Sequence, residues 1–242
     1  MRARDLGRAL ATYAWTGVAS AVAIGSHASG GDADDLARHT IRWARGLERL
    51  WRIDITIEGL QHYREGTPTV LVANHQSYVD VVALFLSLPE MPVFLAKREL
   101  SRVPLFGAAM RTRGDVFIDR KRHDAAASTI DRTARILRPG APLLVFPEGT
   151  RASRPEIGPF KKGAFHLAKQ AHAALQPIGI RGSLEAWPRE SPAPRGGPVH
   201  LGVGAAIDAE EVAATDLDVL LTRLRADIAR LSGLPLAAGP KP

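Results

Sequence analysis

The chain has no cysteine among its 242 residues, which removes a disulfide framework, a thiolate nucleophile and every cysteine-based zinc site. Its eight histidines include no His-x-x-x-His pair. His166 and His172 stand six apart, the wrong spacing for two ligands on one helix face, so no metal site is expected. No Gly-x-Ser-x-Gly elbow occurs, and Gly202-Val203-Gly204 lacks the third glycine of a dinucleotide loop. Aromatic residues make up only 6%. With no recognisable motif this argues against nucleic acid, although a net charge of +7 and a pI near 10.2 would suit any anionic partner. Internal repeats are absent as well.

What the chain does have is chemistry at the ends of apolar runs. Val70-Leu71-Val72-Ala73 leads into Asn74-His75-Gln76-Ser77-Tyr78-Val79-Asp80, where a strand should end and a helix begin. On a continuous helix five residues turn through about 500°, leaving the side chains about 140° apart. His75 and Asp80 can therefore meet only if His75 lies in the turn before the helix. An imidazole so placed takes a proton near neutral pH, and a carboxylate that orients it makes it a better base. The competing reading is purely structural, because Ser77-x-x-Asp80 is itself a capping box with Ser77 as the N-cap.

Three further runs end in the same way. Phe94-Leu95-Ala96 delivers Lys97 into a turn, Gly114 to Ile118 ends in Asp119 and Arg120, and Leu143-Leu144-Val145-Phe146 stops at Pro147 and opens into Glu148, Gly149, Thr150 and Arg151. Each cation has the bland alternative of a solvated surface charge. Lys97 has Arg98 beside it as an electrostatic equal, and Glu148 has the alternative of an ion pair with Arg151.

Taken together these blocks resemble the glycerolipid acyltransferases, the 1-acyl-sn-glycerol-3-phosphate (lysophosphatidic acid) acyltransferase family. The matches run in order at Asn74 to Asp80, Gly114 to Arg120, Phe146 to Arg151 and Gln176-Pro177-Ile178, with Lys161-Lys162-Gly163 following the third block. The fourth departs from the pattern, having Gln176 where an apolar residue is usual. The resemblance spans roughly residues 55 to 205, and four ordered blocks are far more specific than one. It implies a single α/β domain with a mixed sheet flanked by helices. It also implies acyl transfer from acyl-CoA or acyl-carrier protein to a lysophospholipid hydroxyl, with no cofactor. His75 would be the general base and Asp80 its orienting partner. Lys97, Arg120, Glu148, Gly149, Thr150 and Arg151 would bind substrate, with backbone amides near Glu148 and Gly149 as donors to the oxyanion. No covalent acyl-enzyme is needed.

Patterning agrees with an α/β domain. Strands are expected near 69–73, 92–96, 115–119, 142–146, 176–181 and 199–207, with helices over 124–137, 159–174 and 216–231. Residues 182–198, rich in proline, read as a long surface loop. The acyltransferase domain is expected over 53–235, with a disordered tail from 236 to 242.

Residues 1–52 read as a helical, membrane-associating segment. Between Arg8 and Asp32 there is no formal charge, but the stretch is built largely of Ala, Gly, Ser and Thr and is marginal for a spanning helix. A signal peptide is the competing reading, with Arg2, Arg4 and Arg8 preceding the apolar part and Ala19-Ser20-Ala21 resembling a cleavage site. The next helix has Leu36, Thr40, Trp43, Leu47, Leu50 and Trp51 on one face and Arg38, Arg42, Arg45, Arg49 and Arg52 opposite. That arrangement suits the headgroup region of an anionic leaflet, or an ordinary helix packed on the core. The expected location is the cytoplasmic face of the cell membrane.

Overall fold

The computed structural model describes residues 3–119, 128, 131, 133, 134, 137 and 141–238. The expected helix over 124–137 lies mostly outside the described residues, as does Arg120.

The chain begins with a helical hairpin, α1 (Ala3–Ala28) and α2 (Ala33–Trp51). Asp32 starts α2 with a capping box, its carboxylate accepting from Asp35 N–H while Asp35 accepts from Asp32 N–H. Three indole N–H groups lock the hairpin: Trp15 to the Trp43 carbonyl (3.0 Å), Trp43 to Thr16 (3.1 Å) and Trp51 to Thr12 (2.9 Å). Small residues are what let these rings in. A Cβ on Gly46 would fall 2.3 Å from the Trp15 nitrogen.

The Trp and Leu face of α2 is core, not membrane surface. Ala44, Leu47 and Trp51 are buried, and Trp43 packs against Phe85 and Phe106 at centroid distances of 6.1 and 6.3 Å. Each such large side chain contributes about 1.5–3 kcal/mol on burial. Helix α2 is thus built into the domain's own core, and its arginine face points to solvent. What remains exposed and apolar belongs to α1: Leu6, Leu10, Tyr13, Val18 and Val22. Among the described residues no helix is long and apolar enough to cross a membrane.

Seven strands follow among the described residues: β1 (Ile53–Glu58), β2 (Thr69–Ala73), β3 (Val93–Lys97), β4 (Val116–Ile118), β5 (Leu143–Val145), β6 (Ala174–Arg181) and β7 (Gly197–Val203). They form one mixed sheet in the order β1-β7-β6-β2-β5-β3-β4, parallel throughout except between β6 and β7. β2 sits centrally with all five residues buried. Its alternation feeds two cores, Leu71 and Ala73 facing one layer and Val70 and Val72 the other.

The first layer holds α2 and α3 (Val79–Ser87); the second holds α5 (Gly163–Gln170), α7 (Ala209–Ala214) and the C-terminal α8 (Leu217–Ser232). Two short helices, α4 (Phe106–Thr112) and α6 (Ser183–Ala186), and two 3-10 turns, Leu60–His62 and Arg98–Arg102, are also described.

Three expectations need adjusting. β1 precedes the strands expected, and its alternation of Ile53, Ile55 and Ile57 with Asp54, Thr56 and Glu58 is that of a half-buried edge strand. The helix expected over 159–174 is only α5, because Lys161 N–H is held by the Pro147 carbonyl and His172 turns the chain at φ 47°. Residues 182–198 are not a free surface loop: they contain α6 and bury Trp187 against Trp51 and Tyr78. At the C-terminus, Ala237 N–H donates to the Ile157 carbonyl, so the segment from 236 is paired at its start, and 239–242 lie outside the described residues.

Candidate active site

In an open, largely parallel sheet the ligand site lies beyond the C-terminal strand ends. The neighbours β2, β5, β3 and β4 therefore bring together blocks that are far apart in sequence. β2 ends at Asn74 and His75, β5 at Phe146 to Arg151, and β3 at Lys97.

Asn74 makes the turn possible. Its amide donates to the Ile180 carbonyl (2.8 Å) and its oxygen accepts from Ile180 N–H (2.7 Å), extending the β2–β6 pairing by a side chain where the backbone leaves the sheet. His75 then enters the turn before α3, where Asp80 reaches it. One Asp80 oxygen, Oδ2, accepts from three donors: His75 Nδ1 at 2.7 Å and the backbone N–H groups of Gln76 and Ser77, each at 2.8 Å. An ionised carboxylate can only accept, so Nδ1 carries the proton and Nε2 presents a lone pair. Asp80 is fully buried, and its other oxygen has no hydrogen-bond partner among the described residues.

One atom of Asp80 thus holds both the imidazole and the backbone of the turn. Ser77 is not the N-cap, which falls at Tyr78. Its hydroxyl donates to the Trp187 carbonyl (2.9 Å), fastening the 182–198 segment over the start of α3.

Three contacts that the sequence did not announce fix His75 further. Phe146 stacks on it with centroids 4.0 Å apart and planes 12° from parallel. The His75 carbonyl accepts from Ala152 N–H (2.8 Å), and its own N–H donates to Glu148 (3.3 Å). The ring keeps 17% exposure, enough for a substrate to reach it.

Glu148 is buried, and burial pushes its carboxyl up to about 7, with the nearby Asp80 charge adding to the rise. Hydrogen bonds from His75 and Gly158 N–H and the charge of Arg225 oppose it. Arg225, on α8, gives its guanidinium to the carbonyls of Gly158, Ile157 and Ala237. No block of the sequence pointed to it.

The ion pair considered between Glu148 and Arg151 is not made. Arg151 instead lies over the Tyr78 ring, Cζ 3.9 Å from the centroid, at the mouth of the same site. Gly149 takes a left-handed φ of 76° in the turn, and a Cβ there would meet the Lys161 side chain at 3.1 Å. Its N–H lies 3.1 Å from the Phe146 carbonyl and closes that turn, so the oxyanion role expected of it competes with a backbone bond. Thr150 is exposed beside it. Lys97 is also exposed and pairs with Glu99 at 3.3 Å, while Arg98 bridges to Asp119 at 3.0 Å.

Gln176 has a structural explanation. Its neighbour Pro177 sits in the central strand β6 and cannot donate to the Gly204 carbonyl, although it accepts from Gly204 N–H (3.0 Å). The Gln176 amide donates to that carbonyl in its place, and its oxygen accepts from Arg64 N–H (3.3 Å). The residue is fully buried and holds the sheet.

Among the described residues no group of three or more His, Asp or Glu side chains could hold a metal. The arrangement is an imidazole oriented by a buried carboxylate, beside a second buried carboxyl whose pKa is raised and, at the mouth, a guanidinium. It can remove a proton from a hydroxyl beside an anionic group.

Comparison with known proteins places the chain among acyltransferases. The human 1-acyl-sn-glycerol-3-phosphate acyltransferase alpha is 33% identical over 180 residues, 74% of this chain and 64% of that one. The chloroplastic 1-acyl-sn-glycerol-3-phosphate acyltransferase of Arabidopsis thaliana is 34% identical over 176 residues, 72% of this chain and 48% of its own. The chain thus spans less than two thirds of the length of these relatives. In fold it is similar to the crystal structure of a 1-acyl-sn-glycerophosphate (LPA) acyltransferase from Thermotoga maritima, with a TM-score of 0.76 at 20% identity over 94% of this chain and 95% of that one. The model of the family described as Acyltransferase matches residues 54–181, more than half of the chain, and the protein belongs to that family.

Proposed function

We propose that the protein transfers a fatty acyl chain from a thioester, acyl-CoA or acyl-carrier protein, to the free hydroxyl of lysophosphatidic acid, giving phosphatidic acid. The observation that carries this reading is the His75 imidazole, oriented through Nδ1 by buried Asp80 and stacked on Phe146, with Nε2 free to accept a proton.

In the reaction the acceptor hydroxyl gives its proton to Nε2 as its oxygen attacks the thioester carbonyl. The imidazolium that forms is stabilised by Asp80. Collapse of the tetrahedral intermediate breaks the carbon–sulfur bond, and the thiolate takes the proton back from Nε2. The base contributes about 10² to 10⁴ in rate. Arg151 receives the acceptor phosphate, because a guanidinium binds two phosphate oxygens at once. Arg120 has the same proposed role, and Lys97 would leave Glu99 to share it. Glu148, Gly149 and Thr150 shape the acceptor pocket, with Glu148 holding the backbone of His75.

The reaction is placed at the cytoplasmic face of the membrane, the protein lying on it without spanning. Support comes from the exposed apolar residues of α1 and the exposed arginines of α2.

The test is release of free thiol from a long-chain acyl-CoA by the purified protein in detergent, with and without lysophosphatidic acid. Release that requires the acceptor is expected. Equal release without it would mean that water is the acceptor and the protein is a thioesterase.

A further inference from the structure

A second concentration of cations lies on the N-terminal hairpin. Arg4, Gly7, Arg8, Leu50 and Arg52 line a cavity of about 550 Å³ between the first turns of α1 and the end of α2. None of the strand-end residues of the active site contributes to it. No carboxylate lines it, and none of its three guanidiniums makes an ion pair among the described residues. Six arginines elsewhere, Arg38, Arg64, Arg98, Arg113, Arg223 and Arg230, do meet an aspartate or glutamate. Three like charges gathered without a counter-ion repel one another, and an anion entering between them relieves that repulsion.

The walls are fixed rather than adventitious. Arg8 donates to the Pro194 carbonyl (3.1 Å), which ties α1 to the segment packed over the start of α3. Arg52 caps α2 in a left-handed conformation at φ 56°, and its carbonyl accepts from Gly197 N–H (3.0 Å) at the start of β7. At about 100° per residue, Arg4 and Arg8 lie at the margin of the exposed side of α1 that carries Leu6, Leu10, Val18 and Val22. A helix resting on a bilayer by that side brings the cavity level with the headgroups.

We infer that this cavity binds a phosphomonoester, presented as the headgroup of an anionic phospholipid. A phosphomonoester offers nearly two negative charges and three free oxygens, and planar guanidinium forks pair with such oxygens two at a time. The same group on a soluble molecule would satisfy the same chemistry, so the test separates the two sources.

Full-length protein is floated with phosphatidylcholine vesicles containing phosphatidic acid, or phosphatidylglycerol at matched surface charge. The variants are the double substitution Arg8→Gln/Arg52→Gln and, as a charge-matched control on the arginine face of α2, Arg42→Gln/Arg45→Gln. Wild type is expected to prefer phosphatidic acid. The control should lose affinity for both compositions alike, by about fivefold per charge removed. The cavity variant should lose more than the control on phosphatidic acid and show no preference. In a second arm, inorganic phosphate and glycerol 3-phosphate are added during thermal unfolding. Stabilisation of wild type but not of the cavity variant, without a vesicle preference, would keep the site and assign it to a soluble phosphate. Should the glutamine variant fail to fold, Arg8→Lys/Arg52→Lys keeps the charge and removes the forks, and the same lost preference is expected. Equal losses in cavity and control variants, with no effect of phosphate, would overturn the proposal. Every readout is binding, so the outcome does not depend on acyl transfer.

Discussion

Asp80 shows why the first block spaces its histidine and aspartate as it does. Only a histidine in the turn lets a carboxylate in the first turn of α3 hold Nδ1 and the two intervening N–H groups together. That much was legible from helical geometry. The stacking of Phe146 was not, because it joins the ends of β2 and β5 and depends on their being neighbours in the sheet. Glu148 carries a pH signature. Its carboxyl titrates near 7 in the fold against an ordinary 4.5, so between those values the folded state holds the proton that the unfolded chain has lost. Stability should therefore fall as pH rises from about 4.5 to 7, by about 3 kcal/mol in all. In Glu148→Gln that slope should flatten, as read from urea midpoints across the window; an unchanged slope would assign the proton to another group. Arg151→Ala should raise the KM for lysophosphatidic acid by about tenfold or more, the value of a charge-assisted bond. If only kcat moved, the phosphate contact would be elsewhere.

At the scale of elements, strands β2 to β7 stand within a few residues of their expected places because apolar runs bounded by Gly, Pro and charge are strong signals. Helix α5 was overextended for a tertiary reason. Lys161 is held to the Pro147 turn, a contact that no local pattern records. The fourth block gives the clearest case of a side chain serving the sheet. Gln176 supplies the donor that Pro177 lacks, so Gln176→Leu, the change toward the usual apolar residue, should leave the Gly204 carbonyl and Arg64 N–H unmatched. We expect a loss of about 1–3 kcal/mol in urea unfolding. A neutral result would mean that water or a shift of the strand replaces those bonds.

For the molecule as a whole, the α/β class was legible in the pattern, whereas the convergence of the blocks on one sheet edge follows from strand order, which the pattern alone does not provide. Leu47 and Trp51 of α2 share a core with Val199 and Leu201 of β7. The arginine stripe of α2 was visible from periodicity, whereas the inward use of its Trp and Leu face required α3 and α4 to be in place. All of this scaffolding serves one oriented imidazole, and the direct measurement is acceptor-dependent thiol release by His75→Ala beside wild type, with unfolding midpoints confirming that both are folded. A loss of about 10² to 10⁴ in turnover is predicted. Turnover within a few fold of wild type in a folded His75→Ala protein would contradict the assignment of His75 as the base.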